Sequence, residues 1–229
     1  MKILVLGYGL LGSEIVKQTS WDFISREKNN IEFTNLESYI NYLYNYDTIL
    51  NCIAYTNTYD TDYKKSKDIN YVAITKLSDY CNTMNKKLIH ISTDYIYANS
   101  NSDATEDDLP LISNNWYTYY KLLADEYIKL KNNNFLICRC SFKKKPFEHK
   151  NAWINQIGNF DYVDIIANII IELIKKNITG VINVGTEPKT IYDLAKKTNS
   201  QVMYSFAPSN VPNNITMDLS KLKKIIYNE

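Results

Sequence analysis

Glycine and histidine are scarce in this chain: six glycines and two histidines in 229 residues. Two histidines are too few for a His-rich metal site, and no metal is expected. The four cysteines, Cys52, Cys81, Cys138 and Cys140, fall mostly inside apolar runs without a CxxC pair. That spacing excludes a zinc ribbon or a dithiol redox motif and implies buried thiols in a reducing compartment. Long hydrophobic runs are missing too, since the longest, around Ile165 to Ile174, is broken by Asn168 and Glu172 and is too short to cross a bilayer. Met1 leads directly into a strand-like run with no basic, cleavable leader, so a cytoplasmic protein is expected. Charge of one sign is the last absence. With 26 basic and 25 acidic residues the net charge is +1, which gives no field to draw in nucleic acid or a membrane surface. A small ligand is the expected partner.

What is present is an alternation. A chain of this length can bury roughly 70% of its unfolded surface. Apolar runs at 2–6, 23–25, 48–54, 87–92 and 135–140 predict strands, and an amphipathic stretch containing Leu10, Leu11, Ile15 and Val16, with others at roughly 36–45, 66–84 and 117–131, predicts helices between them. Continuous apolar strands separated by helices predict an α/β fold, a doubly wound parallel sheet covered on both faces. After Ser141 the pattern breaks into the polar, lysine- and aromatic-rich stretch KKKPFEHKNAWINQIGNFD, which is too long for an ordinary connection and is expected to be a functional excursion or lid. Order returns with a helix over 162–176, a strand over 180–184, a helix over 190–198 and a terminal helix over 219–226. The expected division is a dinucleotide-binding domain over 1–141, to which 164–184 returns, and a small substrate region made of 142–163 and 185–229.

Half of the glycines lie in the GYGLLG fragment after the first strand. In a nucleotide-binding turn Gly7 would allow the tight bend, Gly9 would admit a pyrophosphate to the backbone, and Gly12 would let the helix pack on the strand. The helix N-terminus running through Leu10 and Leu11 would hold the phosphates. Where NAD enzymes place an acidic residue on the adenosine ribose, this chain reads FISRE. Arg26, beside Ser25, suits a 2′-phosphate, so NADPH is the expected cofactor, with NADH also possible.

Reducing a carbonyl requires a proton donor. A tyrosine four residues before a lysine on a helix can serve, because the two groups share a face and an ammonium lowers a phenol's pKa. About two YxxxK pairs are expected by chance, and four occur: Tyr63/Lys67, Tyr117/Lys121, Tyr127/Lys131 and Tyr192/Lys196. Only Tyr117 opens a helix after a strand whose carboxyl end, HISTDYIY, displays the hydroxyls of Ser92 and Thr93, at the edge where such sheets bind ligands. Tyr117, Lys121 and Thr93 are therefore the candidate catalytic group. His90, inside the strand, is expected to be packed rather than ligating.

The segments GYGLLGSE, LNCIAYTNTYDTD, Asn70 in KDINYVAITKLSDYC, LIHISTDYIY, ATEDDLPLISNNWYTYYKLLADEY and LICRCSF resemble, in order and spacing over about residues 1–142, the extended short-chain dehydrogenase/reductases, and within them the dTDP-4-dehydrorhamnose reductases. The resemblance implies a Rossmann fold and reduction of a nucleotide-linked 4-keto-6-deoxyhexose. In that chemistry Tyr117 protonates the sugar C4 oxygen, Thr93 polarises the carbonyl, and Lys121 holds the nicotinamide ribose and lowers the tyrosine pKa. It also implies a cofactor site completed by Glu32, Phe33, Ile53, Ala54, Tyr55, Asn70, Ser92 and Cys140, with Tyr95 and Phe142 toward the sugar; apart from the resemblance, Lys143, Lys144, Lys145 and Lys150 with Trp153 in the excursion would meet a diphosphate and stack on a base. The expected partners are a dTDP- or UDP-linked sugar and a second copy of the chain in a homodimer. The chain departs from the family in four places: the glycine spacing is one residue tighter, YGxTK has become YTYYK, Phe142 stands where the family has a tryptophan, and the region after Ser141 is much shorter. Two alternatives stay open, an epimerase or dehydratase that retains NAD and a non-catalytic nucleotide-sensing regulatory subunit.

Overall fold

Every position of Ile3–Leu6 is apolar, so this strand, β1, has no face to offer water. The computed structural model, which describes residues 1–58, 62–98, 103–108 and 115–227, places it inside a sheet covered on both sides. Residues 59–61 and 109–114 of the quoted motifs lie outside the described residues. The chain passes from β1 through α1 (Leu10–Thr19), β2 (Asp22–Ile24), α2 (Arg26–Asn29) and α3 (Ile40–Leu43) to β3 (Thr48–Asn51). It continues with α4 (Tyr63–Lys67), α5 (Ala73–Thr83), β4 (Lys87–Thr93), α6 (Trp116–Lys131) and β5 (Phe135–Cys140).

The stretch from Phe142 to Tyr162 carries four short strands, β6 (Phe142–Lys143), β7 (Asn151–Trp153), β8 (Ile157–Gly158) and β9 (Asp161–Tyr162). Then follow α7 (Val163–Lys175), β10 (Gly180–Val184), β11 (Lys189–Thr190), α8 (Ile191–Lys196), β12 (Met203–Ser205), β13 (Asn214–Ile215) and α9 (Ser220–Tyr227). The main sheet is parallel, in the order β10-β5-β4-β3-β1-β2. Its connections reverse direction at β1, so a crevice opens beyond the carboxyl ends of β1 and β3, where such folds take ligands.

Alternation along the strands builds two cores. Val5, Leu50, Ile89, Ile91 and Cys138 face one layer, which holds Ile15 of α1, Ile166 and Ile170 of α7 and Leu222 of α9. Leu4, Leu6, Ile49, Leu88 and Ile137 face the other, with Ile74 and Leu77 of α5 and Ala124 and Ile128 of α6. Burying a side chain of this size contributes roughly 1.5–3 kcal/mol. A third, smaller core joins Phe147, Ala152, Phe160 and Tyr162 to Ile191, Leu194, Val202 and Ile215. The segment after Ser141 is therefore an ordered part of a small lobe, packed against residues 191–215. Its few apolar residues are spaced too irregularly to announce strands of two or three residues. Among the described residues no helix is long and apolar enough to cross a membrane.

Candidate active site

Three backbone features converge at the crevice. After β1 the chain turns at Gly7 with φ +95°, a conformation that favours glycine, and Gly9 caps α1 with no side chain closing the helix end. A Cβ on Gly12 would stand 2.1 Å from the Gly7 carbonyl oxygen, so only glycine lets α1 sit this close. A Cβ on Gly9 would meet nothing within 4 Å. That open cradle, with the first-turn amides of Leu10, Leu11 and Gly12 at its wall, fits a pyrophosphate.

Beyond β3, Ile53, Ala54 and Tyr55 line the same edge. Asn70 holds this segment: its Oδ1 accepts from Tyr55 N at 2.8 Å and its Nδ2 donates to Tyr55 O at 2.9 Å. Asn70 sits in a wider π turn, Asp68–Val72, between α4 and α5, the kind of interruption often found where a helix serves a site. Ser25 caps α2 by accepting from Lys28 N, and Arg26 follows it, exposed. Glu32 bonds Thr34, while Phe33 is buried against Tyr39 in the core. The resemblance puts Phe33 toward adenine; its ring here is a packing element, drawn inward by the apolar pocket under β2.

Asn115 caps α6, accepting from Thr118 N at 3.1 Å, and so sets Tyr117 in the helix's first turn. Tyr117, Lys121 and Asp125 then fall at four-residue intervals on one stripe facing β4. Tyr117 is partly exposed, and its hydroxyl lies beside the Thr93 hydroxyl. Burial raises the phenol above its usual pKa of 10, and the neighbouring Thr93 hydroxyl works against that rise. The expected lowering by Lys121 is absent from the main effects on the phenol, because the lysine amine is turned toward β4. There Nζ lies 2.6 Å from Ile91 O and 2.8 Å from His90 Nε2. Burial also lowers the Lys121 pKa, to about 8, with Asp125 opposing.

Ser92 and Thr93 part company at the strand end. Ser92 lies on the α6 face with His90, and its hydroxyl donates to Asp125 Oδ2 at 2.9 Å. Its side chain serves the interior and not the cofactor edge. Asp125 Oδ2 also takes Arg139 Nε at 3.3 Å, and Arg139 continues to the Tyr97 hydroxyl at 2.7 Å. This network, with both charged groups fully buried, anchors the floor of the site. Cys140, at the end of β5, is buried beside it.

Two partners escaped the sequence reading. Asp94, next to Thr93, is fully buried; burial pushes its pKa up to about 7, while the Lys143 ammonium of the small lobe works the other way. Gln156 donates to the Tyr95 hydroxyl at 3.1 Å. Neither carries a spacing signal, since both pairs join residues far apart in the chain. The small lobe adds a cavity of about 540 Å³ lined by Lys143, Phe147, His149, Lys150 and Trp153 among others. Phe142 lies beside it on β6, partly buried. The other three YxxxK pairs sit away from the crevice: Tyr127 bonds Asp79, Tyr63 packs on Trp116, and the Lys196 amine lies over the Tyr192 ring.

A family model described as the RmlD substrate binding domain matches residues 1–216. The chain belongs to the RmlD family. Among curated proteins none matches the sequence of this RmlD-family chain. Solved structures share its fold. A hypothetical dTDP-4-dehydrorhamnose reductase from Sulfolobus tokodaii is 22% identical with a TM-score of 0.83, covering 99% of this chain and 95% of that one. The dTDP-4-dehydrorhamnose reductase of Bacillus anthracis in complex with NADP is 20% identical with a TM-score of 0.82, covering 97% and 92%. UDP-glucuronic acid 4-epimerase from Bacillus cereus in complex with NAD is 20% identical with a TM-score of 0.76, covering 100% and 91%.

Proposed function

We propose that this RmlD-family chain is an NADPH-dependent reductase of a nucleoside-diphosphate-linked 4-keto-6-deoxyhexose, acting as the dTDP-4-dehydrorhamnose reductases do. The observation that carries this reading is the placing of the Tyr117 phenol beside the Thr93 hydroxyl at the carboxyl end of β4, with Lys121 one turn further along the same helix stripe.

The nicotinamide cofactor would supply the hydride. The chain's own residues do the rest. The hydroxyls of Thr93 and Tyr117 would both donate to a carbonyl oxygen bound between them as it gains negative charge. The buried phenol keeps its proton until that charge develops, then releases it to the oxygen. Lys121 holds the nicotinamide ribose, and the glycine cradle holds the pyrophosphate. Arg26, with Ser25 beside it, meets the 2′-phosphate and favours NADPH over NADH.

Residues 1–141 with 164–184 form the cofactor domain in this account, and 142–163 with 185–229 form the substrate lobe. The lobe's cavity takes the nucleoside diphosphate, Trp153 offering a ring for the base and Lys143 and Lys150 offering cations for the phosphates. Tyr95 and Phe142 border the sugar. The four free thiols favour a cytoplasmic setting.

The test is oxidation of NADPH on adding dTDP- and UDP-linked 4-keto-6-deoxyhexoses. Consumption with at least one substrate is expected, and none with any would reject the reading. Purified protein that carries one nicotinamide per chain, and turns sugar nucleotides over without added cofactor, would instead favour an epimerase or dehydratase.

A further inference from the structure

The contacts of Lys121 fix more than its position. Its amine is buried, and of its two close neighbours the Ile91 carbonyl oxygen, at 2.6 Å, can only accept. The other is His90 Nε2 at 2.8 Å, whose role depends on where the imidazole carries its proton. The far side of the ring decides this. Asn51 pairs with His90 across β3 and β4, and its amide is oriented by the main chain. Ile53 N donates to Asn51 Oδ1 at 3.1 Å, and Asn51 Nδ2 donates to Ile53 O at 3.4 Å. A backbone N–H cannot accept, so the amide cannot be flipped, and it is Nδ2 that faces His90 Nδ1 at 3.2 Å.

An amide nitrogen donates, so Nδ1 must accept. The one proton of a neutral imidazole is then on Nε2, aimed at Lys121 Nζ. Two donors cannot share that contact, and the lysine must present its lone pair.

We propose that Asn51 and His90 form a positioning pair that holds Lys121 as an uncharged amine in the cofactor-free protein, with His90 in its Nε2–H tautomer. Protonating Lys121 leaves Nζ with donors only. His90 would then have to accept at Nε2 and carry its proton on Nδ1, against the Asn51 donor, and that donor–donor contact disfavours the ammonium. The titratable groups facing Lys121 are Asp125 on its own helix, Cys52 after β3, Cys140 on β5 and His90 itself. The two thiols are held well above their ordinary range by burial, and Asp125 is already engaged by Arg139 and Ser92. Burial holds His90 well below 6.5, which keeps the ring neutral. The inference rests on reading Lys121 as the catalytic lysine only for its functional meaning.

The test is nitrogen-15 NMR of the cofactor-free protein labelled in histidine and lysine. The chain has two histidines, and His90→Gln assigns the signals. At neutral pH His90 is expected to show a protonated Nε2 and a bare Nδ1, and Lys121 an uncharged amine with a midpoint below 7, because the donor–donor contact adds to the burial that alone brings the amine to about 8. In Asn51→Asp a carboxylate oxygen can accept from Nδ1–H, so the tautomer should invert and the Lys121 midpoint should rise by about one unit or more, roughly a tenfold gain in proton affinity. A wild-type His90 protonated at Nδ1 would overturn the proposal, as would a Lys121 midpoint that Asn51→Asp does not raise. Neither readout needs cofactor or sugar, so failure of the reductase reading would leave this result standing, and the reverse also holds.

Discussion

Replacing Gly9 and Gly12 separately by alanine should divide the two tasks of the glycine turn. At Gly12 the new Cβ would lie 2.1 Å from the Gly7 carbonyl oxygen and 3.1 Å from the Gly7 carbonyl carbon, both main-chain atoms with no freedom to step aside. Ordinary contact needs about an ångström more, so α1 must lift from β1. The cost is expected at the upper end of the roughly 1–3 kcal/mol typical of overpacking, or beyond it. At Gly9 the φ of −79° suits alanine, and the Cβ meets nothing within 4 Å. The weaker N-cap costs up to about 1 kcal/mol, and the stiffer unfolded chain returns about 0.4–1 kcal/mol, so stability should hardly change. The methyl would nevertheless stand in the open cradle, and NADPH affinity should fall about ten- to a hundredfold, roughly 1.4–2.7 kcal/mol. Urea unfolding and calorimetric titration with NADPH measure the two quantities on each variant. Wild-type affinity in Gly9→Ala would refute the cradle. A stability loss in Gly9→Ala equal to that in Gly12→Ala would refute the packing argument.

Tyr117→Phe should lower kcat by roughly 10²–10⁴ while NADPH binding is unchanged, as seen in steady-state rates and a binding titration side by side. Thr93→Val, which keeps the shape but removes the donor, should cost on the order of 10² in kcat. Arg139→Met would strand the Asp125 carboxylate where neither group has more than 1% of its surface exposed, and should destabilise the fold by roughly 3–5 kcal/mol in urea unfolding. Asp94 binds its proton more tightly folded, at about 7, than unfolded, at 3.8. Its contribution to stability is therefore full below about pH 4 and is lost as the pH rises through 7. Asp94→Asn should flatten that decline, by on the order of a few kcal/mol over the window, and unfolding curves at several pH values would show parallel profiles if the reasoning is wrong.

The parts of the fold written in the sequence are those set by local rules. Strand β1 is a continuous apolar run and β4, β5 and β10 are mostly apolar runs between helices, and their burial on both faces made them legible. The predicted helix over 66–84 is broken by the π turn at Asp68–Val72, because Asn70 is drawn to the Tyr55 main chain across the crevice, a contact no window of sequence contains. The strands of the small lobe were illegible for a related reason. Its core is assembled from Phe147, Phe160, Ile191 and Ile215, and its strands are too short to show a period. At the site, the four-residue spacing brought out Tyr117 and Lys121, and the strand end brought out Thr93. Alternation along β4 also shows why Ser92 turns inward to Asp125. The links from His90 to Asn51 and from Asp94 to Lys143 join residues that only the folded sheet places together.

The most direct measurement is the fate of a deuterium carried on the nicotinamide of NADPH. Incubated with a dTDP- or UDP-linked 4-keto-6-deoxyhexose, the wild-type protein should place that deuterium on C4 of the product sugar, seen by NMR, and Tyr117→Phe should do so at a rate lower by orders of magnitude. A product without deuterium at C4, or equal rates in the two proteins, would contradict the account.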